Sequence, residues 1–563
     1  MRSGRLHLLS VFVVAMAVLA PTSAASAAPA NASEPGSIST PYPTLQSITI
    51  SWPFAGDDDS DARVRVRYRV SGATVWRDSM ALMRVSAGSN AGHSWVKRHT
   101  GSLVDLVPGT RYQIELRLTD PDGGSTTRVV TVRTRAVPVI NAKAPVRSAT
   151  PATLDAVKAA ARPGDIVELG PGTYPAFTWD VDGTPTQPIV LRGTPGAVIA
   201  GELGMFFRKN VHLDRLTVRG RIRFNGSDNI AITRSTVHAQ VGVGGGDGIV
   251  SSLRARNAYI ADNTVVGTTP WRESALGVNG DNLGEGILVT GPGTVIMNNR
   301  VSNFRDNIST LEGDEAAEQY SIDILNNDIS QAADDAIEAD YCFHNCRIMR
   351  NRITNAFMGV SAQPSLGGPT YIVRNVMYNV IDSAFKLHNG SDGDVVVNNT
   401  VVKNGDANGI YSGVPILRAT FRNNLMVGGP GGVYNGWENG IGQVISVGTM
   451  TNSSLDYDAL GSTTNAFVGQ LNGTRFASLA ELRSLTSEKH AVRVDLKSFA
   501  ARIAYPAKPL TRYAVPDLRL APTSQAIDAG LRMPGLTDRF VGSAPDAGAY
   551  ERGRAIPAYG PRT

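Results

Sequence analysis

Asparagine recurs in the middle of this chain on a near-fixed period. Asn263, Asn299, Asn327, Asn351, Asn375, Asn399 and Asn424 each follow a strand-like run, in the frames NTV, NRV, NDI, NRI, NVM, NTV and NLM, and the last five are 24, 24, 24 and 25 residues apart. A repeat of that length, built of short β-runs without helices, cannot bury its apolar face alone. It must stack on its neighbours as a solenoid. About two dozen residues make one turn of a parallel β-helix, and an amide at a tight bend can hydrogen-bond its equivalent one coil away.

The ends of the chain set its compartment. Arg2, Arg5 and His7 precede an apolar stretch from Leu8 to Ala20 and a small-residue segment, so 1–28 reads as a signal peptide. No later apolar stretch is long enough to span a membrane, so an exported protein without membrane insertion is expected. Residues 29–40, rich in Ala, Ser, Pro and Gly, read as a linker. With Lys+Arg 54 against Asp+Glu 49 the net charge is only +5, and the basic residues are dispersed. Nucleic acid is therefore not expected as a partner, an extracellular polysaccharide fits, and the chain is expected to act as a monomer. Its two cysteines, Cys342 and Cys346, are expected to pair as a disulfide, the alternative being a metal site with His344.

Residues 41–136 read as a separate β-sandwich. Strand-like alternation runs through 47–52, 62–70, 112–118 and 128–134, with turns between. Leu106-Val-Pro-Gly-Thr-Arg-Tyr112, together with Trp52, resembles the tyrosine corner and early core Trp of fibronectin type III domains. That resemblance implies a spacer or glycan-proximity module.

Beyond a connector, 153–162 has helical periodicity and suits a cap on the open end of a solenoid. PGDIVELGPGTY (163–174) and QPIVLRG (187–193) follow. These resemble the opening segment of polysaccharide lyase family six, which includes chondroitinase B and alginate lyases. The implied fold is all-β: a right-handed parallel β-helix over 150–551, preceded by the fibronectin type III-like β-sandwich. Coils run from about 189 to 430, with insertions at 265–285 and 310–320 whose acids, Asp281, Glu285 and those of 312–315, read as solvated turns. The segments 517–530 and 546–551 resemble the closing part of secreted β-helix proteins and are expected to form a terminal cap.

One stacked strand per coil carries candidate chemistry. In 336–340, 359–363, 384–388 and 409–413, Ile337, Val360, Phe385 and Ile410 point inward. Period two then sends Glu338, Ser361, Lys386 and Tyr411, and beyond them Asp340, Gln363, His388 and Gly413, to the outer face. Asp334 and Asp335 sit at the bend before the first strand. With strands about 4.8 Å apart, Glu338 and Lys386 are expected roughly 10 Å apart. Four carboxylates within 334–340 must either raise pKa values or recruit a cation.

Two chemistries fit. In a lyase acting on a uronic-acid-containing glycan, Glu338 and Asp340 would hold calcium to neutralise the substrate carboxylate, as the family resemblance implies. Lys386 or His388 would be the base, and Tyr411 or Arg350 would supply the proton, with Ser361 and Gln363 contacting sugar. The family's N-x-S-x-K and R-H-G patterns are not found. In a glycoside hydrolase, Asp334, Asp335, Glu338 and Asp340 would supply acid and base without a metal. A non-catalytic glycan-binding or adhesion protein is the reading from another class. The sparse aromatics of the regular coils favour catalysis over it.

Overall fold

The computed structural model describes residues 30–313, 319–411, 413–464 and 466–562. The expected signal peptide lies outside them. Within them the chain is a parallel β-helix carrying a smaller antiparallel unit at its N-terminal side.

Two long parallel sheets, of 13 and 17 strands, form the solenoid. The register of the first stacks Ile296, Ile324, Ile348, Ile372, Val396 and Phe421 in one inward column. The second sheet combines two faces. On one, Val301, Ile329, Ile353, Met377, Val401 and Met426 align. On the other, Ile287, Ile308, Ile337, Val360 and Phe385 align. These side chains are essentially inaccessible to water, and each contributes about 1.5–3 kcal/mol of apolar burial.

The asparagines join the coils at the bend between the first sheet and the second. Asn351 Oδ1 accepts from the backbone N–H of Asn327 at 3.0 Å and from its Nδ2 at 2.9 Å, while Asn351 Nδ2 donates to the Ile324 carbonyl at 2.9 Å. The same pattern links Asn263 to Asn299 and continues through Asn424, where Asp458 accepts in place of an asparagine. The preceding residue in each coil, Asp262, Asn298, Asn326, Arg350, Arg374, Asn398 and Asn423, has φ between 54° and 60°. That left-handed corner favours Asn, which explains the paired asparagines.

Over its middle coils the first sheet is buried on both faces. Its outer residues Tyr259, Val295, Met297, Met349, Tyr371 and Val397 pack with Leu45 and Val104 of the N-terminal unit. That unit is antiparallel, with strands ordered Glu34–Pro35, Ile48–Ala55, Arg98–Leu103, Arg77–Val85, Arg63–Val70, Arg111–Thr119 and Thr126–Arg133. It has its own core around Trp52, Ile114 and Leu116, and Tyr112 Oη accepts from the Val107 N–H at 2.9 Å.

Three expectations need correcting. The stretch 29–40 is no linker over its described part: Glu34–Pro35 pairs with Phe54 and Ala55, and Ser33 Oγ donates to Asp120 at 2.6 Å. A proline is tolerated there because the strand is at the edge. The unit expected to stand apart is docked through buried polar contacts. Arg347, wholly buried, pairs with Asp323 and donates to Thr49 Oγ1 at 2.9 Å and Ser102 Oγ at 3.2 Å. Finally, the segments beyond 500 do not cap the end. They return along the solenoid as a strap whose carbonyls accept from Asn298, Asn326, Asn355, Asn379, Asn398 and Asn423. The strap covers Val376, Tyr378, Val402 and Leu425 and ends with Arg562 against Asp262 at 2.7 Å. The helix Leu154–Ala160 does pack Leu154 into the first coils.

Candidate active site

At the face built on Ile287, Ile308, Ile337, Val360 and Phe385, the N-terminal unit reaches one border through His93 and Trp95, against Tyr341 and Phe343, and the strap reaches the other through Leu510. One flank is the insertion around Trp271 and Leu276, packed on Phe357, Met358 and Ile381. The other is formed by the bends that follow each strand, where a disulfide joins Cys342 to Cys346. His344 takes no part with the sulfurs; its ring is buried, stacked on Tyr320.

Between these flanks lies an acidic cluster. In strand register Glu285 aligns with Asp306, and Ser309 with Glu338, then Ser361, then Lys386. Oxygen atoms of Glu285, Asp306 and Glu338 all lie within 4.8 Å of one another, as do those of Asp306, Asp334 and Asp335, and those of Glu312, Glu338 and Asp340. Lys386 Nζ reaches Asp335 Oδ2 at 2.7 Å. Arg305 Nε stands 3.3 Å from Asp306 and 3.9 Å from Asp334.

Depth divides the cluster. Asp306, Asp334, Asp335 and Asp340 are buried, between 0% and 3% exposed, whereas Glu285, Glu338 and Lys386 reach solvent at the rim. Burial pushes Glu285 up to about 7, with Asp247 adding to it against Ser309 and Arg305. Burial likewise pushes Asp334 and Asp340 to about 7, the Asp335 charge adding to both and Lys386 opposing. Glu338 is raised by burial and then by Asp306 and Asp340. For Lys386, burial works against the charge, but Asp335, Asp340 and Asp334 outweigh it and hold the ammonium protonated.

The expected site residues fare unequally. Asp334, Asp335, Glu338, Asp340 and Lys386 are brought together, but the aspartates lie beneath the surface rather than on a solvated face. Period two gives a side chain's direction, and the flanking segments decide whether water reaches it. Ser361 is buried, its Oγ donating to Asp340 Oδ1 at 2.6 Å beside the Gln363 N–H at 2.8 Å. Gln363 Oε1 is engaged by the backbone N–H groups of His388 and Asn389, so it braces a bend. His388 is pulled down to about 4 by burial and then by Lys386, leaving it neutral at pH 7. Tyr411 leaves the column: its hydroxyl bonds Asp406 at 3.2 Å and the Asn439 carbonyl at 3.0 Å. Arg350 is not at the site; it occupies a left-handed corner on the first sheet's side and pairs with Asp105 at 2.6 Å.

Glu285, expected in a solvated turn, opens the strand Glu285–Val289, and Asp306 opens Asp306–Thr310. Both were legible in the sequence. Glu285-Gly-Ile287, Asp306-Asn-Ile308 and Asp335-Ala-Ile337 each place an acid two residues before the inward isoleucine. Glu338 and Asp340, with Glu312, could hold a hard divalent cation, as could Glu285, Asp306 and Glu338. The buried Oδ1 of Asp335, which has no hydrogen-bond partner, adds to the negative potential there.

No family model matches the chain, and no curated protein matches it in sequence. Among solved structures it is similar to the PL6 family alginate lyase AlyGC, at 13% identity and a TM-score of 0.33 over 66% of this chain and 59% of that one. It is also similar to the Yersinia enterocolitica family 28 exopolygalacturonase, at 11% identity and a TM-score of 0.31 over 79% of this chain and all of that one (100%). The chain thus spans less than two thirds of the alginate lyase. The parallel β-helix itself rests on the strand pairing described above.

Proposed function

We propose that this chain is an exported polysaccharide-cleaving enzyme, and that its chemistry is glycoside hydrolysis by the carboxyl groups of the cleft. The observation that carries this reading is the pair of glutamates at the rim. Burial raises both carboxyl groups, Glu285 to about 7 and Glu338 well above its ordinary value, and their oxygens lie within 4.8 Å of each other. With one of them protonated, that one acts as acid on the leaving oxygen while the other offers a carboxylate. Their closeness suits retention of anomeric configuration, which needs carboxyl groups about 5 Å apart, rather than inversion. Asp335, tied to Lys386, supports the pair electrostatically from below.

A uronate lyase is the second reading. The overlapping carboxylate triads favour it, since a bound calcium would offset the repulsion of a substrate carboxylate. Against it, Lys386 is held as an ammonium and cannot accept a proton until a neighbouring charge is neutralised. For the N-terminal unit we propose the fibronectin type III fold, on its strand order and the Tyr112 corner.

The test is a panel of neutral and acidic polysaccharides with the purified protein, reading reducing ends and the ultraviolet absorbance of unsaturated uronates. Glu285→Gln and Glu338→Gln should each lower turnover by about 100-fold or more on the substrate cleaved. Unchanged rates in both variants would place the reaction elsewhere. Ultraviolet-absorbing products would favour the lyase.

A further inference from the structure

A cavity of about 460 Å³ lies far from the acidic cluster, where the N-terminal unit, the solenoid and the returning strap meet. Each contributes an arginine: Arg77 from the unit, Arg374 from a coil corner, and Arg539 from the strap. We propose that this junction is a second binding site, which takes the carboxylate or sulfate of an acidic sugar on Arg77, Arg374 and Arg539, with the sugar ring against the wall made by Tyr68 and Trp76.

The charge balance points to an anion. Three acids line the cavity; Asp78 stands opposite Arg67 on the neighbouring strand, and the other two are already occupied. Asp105 pairs with Arg350 at 2.6 Å. Asp538 pairs with Arg532 at 3.2 Å and also accepts the Gly535 N–H at 2.7 Å. Among the described residues, no carboxylate comes within ion-pair distance of Arg77, Arg374 or Arg539; Arg374 donates only to the Leu536 carbonyl, at 3.3 Å. Burial works against the Arg374 charge, Asp105 and more weakly Glu551 support it, and Arg350 and Arg539 oppose it further. An entering oxyanion would relieve all three guanidiniums, whose planar donors match carboxylate and sulfate oxygens.

The aromatic wall argues for a ligand with an apolar face. Trp76 is half-buried and held by Arg69 and Arg67, whose guanidinium carbons stand 4.3 and 5.0 Å from its ring centre. The cavity's size is in the range of pockets that bind small molecules. That the anion is carried by a sugar rests on the polysaccharide reading; that an anion binds rests on the arginines alone.

The two are separable by titration calorimetry at low salt, using the full protein carrying Glu338→Gln so that no substrate is consumed. The probes are an oligogalacturonate, a neutral oligosaccharide of equal length, and sodium sulfate. We expect the oligogalacturonate to bind and the neutral sugar not to. Its affinity should fall about tenfold or more in Arg77→Ala and in Arg539→Ala, as loss of a charged hydrogen bond does. Both side chains are exposed and free of ion pairs, so these variants should keep the parent melting temperature. No affinity for the acidic sugar, or affinity that neither variant changes, would overturn the proposal. Sulfate binding as tightly as the oligosaccharide would overturn its sugar half. A failed cleavage panel bears only on the cleft.

Discussion

Lys386 spans two coils to bring its ammonium 2.7 Å from Oδ2 of Asp335, a carboxylate with no exposure to water. Ser361 occupies the intervening coil, and its small side chain leaves the lysine room to cross. This pair is the main counter-charge in a site crowded with carboxyl groups.

Removing one partner should therefore cost more than removing both. Lys386→Ala should lower stability at pH 8 by about 3–5 kcal/mol, because Asp335 is left buried beside other carboxylates. The double variant Lys386→Met with Asp335→Asn should recover most of that loss. Urea unfolding of the single and double variants checks this, and a double variant as unstable as the single would refute the pairing as the cause.

The raised carboxyl groups fix a direction of pH dependence. Asp334 and Asp340 go from an ordinary value of 3.8 to about 7, and Glu285 from 4.5 to about 7. A group that holds its proton longer when folded costs nothing below its unfolded pKa. Between about pH 4 and 7 the folded state binds more protons than the unfolded, so its share of stability falls across that window and is level above it. Asp334→Asn should flatten the decline of the urea midpoint with pH. A wild-type and variant decline of equal slope would show that Asp334 is not protonated as described. Calcium, if the cluster takes it, should raise the midpoint more at pH 8 than at pH 5.

The N-terminal unit should prove inseparable from the solenoid. Its removal would expose Tyr259, Val295, Met297, Met349 and Val397 along the first sheet and leave the Arg347–Asp323 pair facing water. Residues 137–562 expressed alone should aggregate. In the intact chain Arg347→Ala should cost about 3–5 kcal/mol, since Asp323 is left buried and unpaired. A soluble, cooperatively melting 137–562 fragment would contradict this.

The asparagine ladder makes a sharper prediction. Asn351→Ala removes the acceptor for two Asn327 donors and the donor to Ile324, and should destabilise by about 2–4 kcal/mol. Asp458, at the ladder's end, is pushed up to about 6 by burial, although the Glu488 side chain and then the hydrogen bonds from Asn424 oppose the shift. Asp458→Asn should therefore stabilise the protein at pH 8 and do little at pH 4, where the aspartic acid is already neutral. Thermal melts at the two pH values measure the difference.

The repeat and its register follow from local sequence pattern alone. The asparagine period set the coil length, and strict alternation around Ile337, Val360 and Phe385 set which residues face in, because a one-residue slip would bury Glu338 and Lys386 in place of aliphatic side chains. The sequence also carried two signals that local reading passes over: the acid two residues before an inward isoleucine at Glu285 and Asp306, and the unbroken apolar runs at 295–297, 371–373 and 395–397. Such runs mark strands covered on both faces. What covers them was decided only by tertiary structure. Docking of the N-terminal unit, the path of the strap, and the depth of Asp335 below Glu338 depend on contacts between residues hundreds of positions apart, such as Thr49 with Arg347 and Asn298 with Gly560. Periodicity reports the direction of a side chain, whereas burial, and with it the pKa of every acid in the cleft, depends on what packs above it.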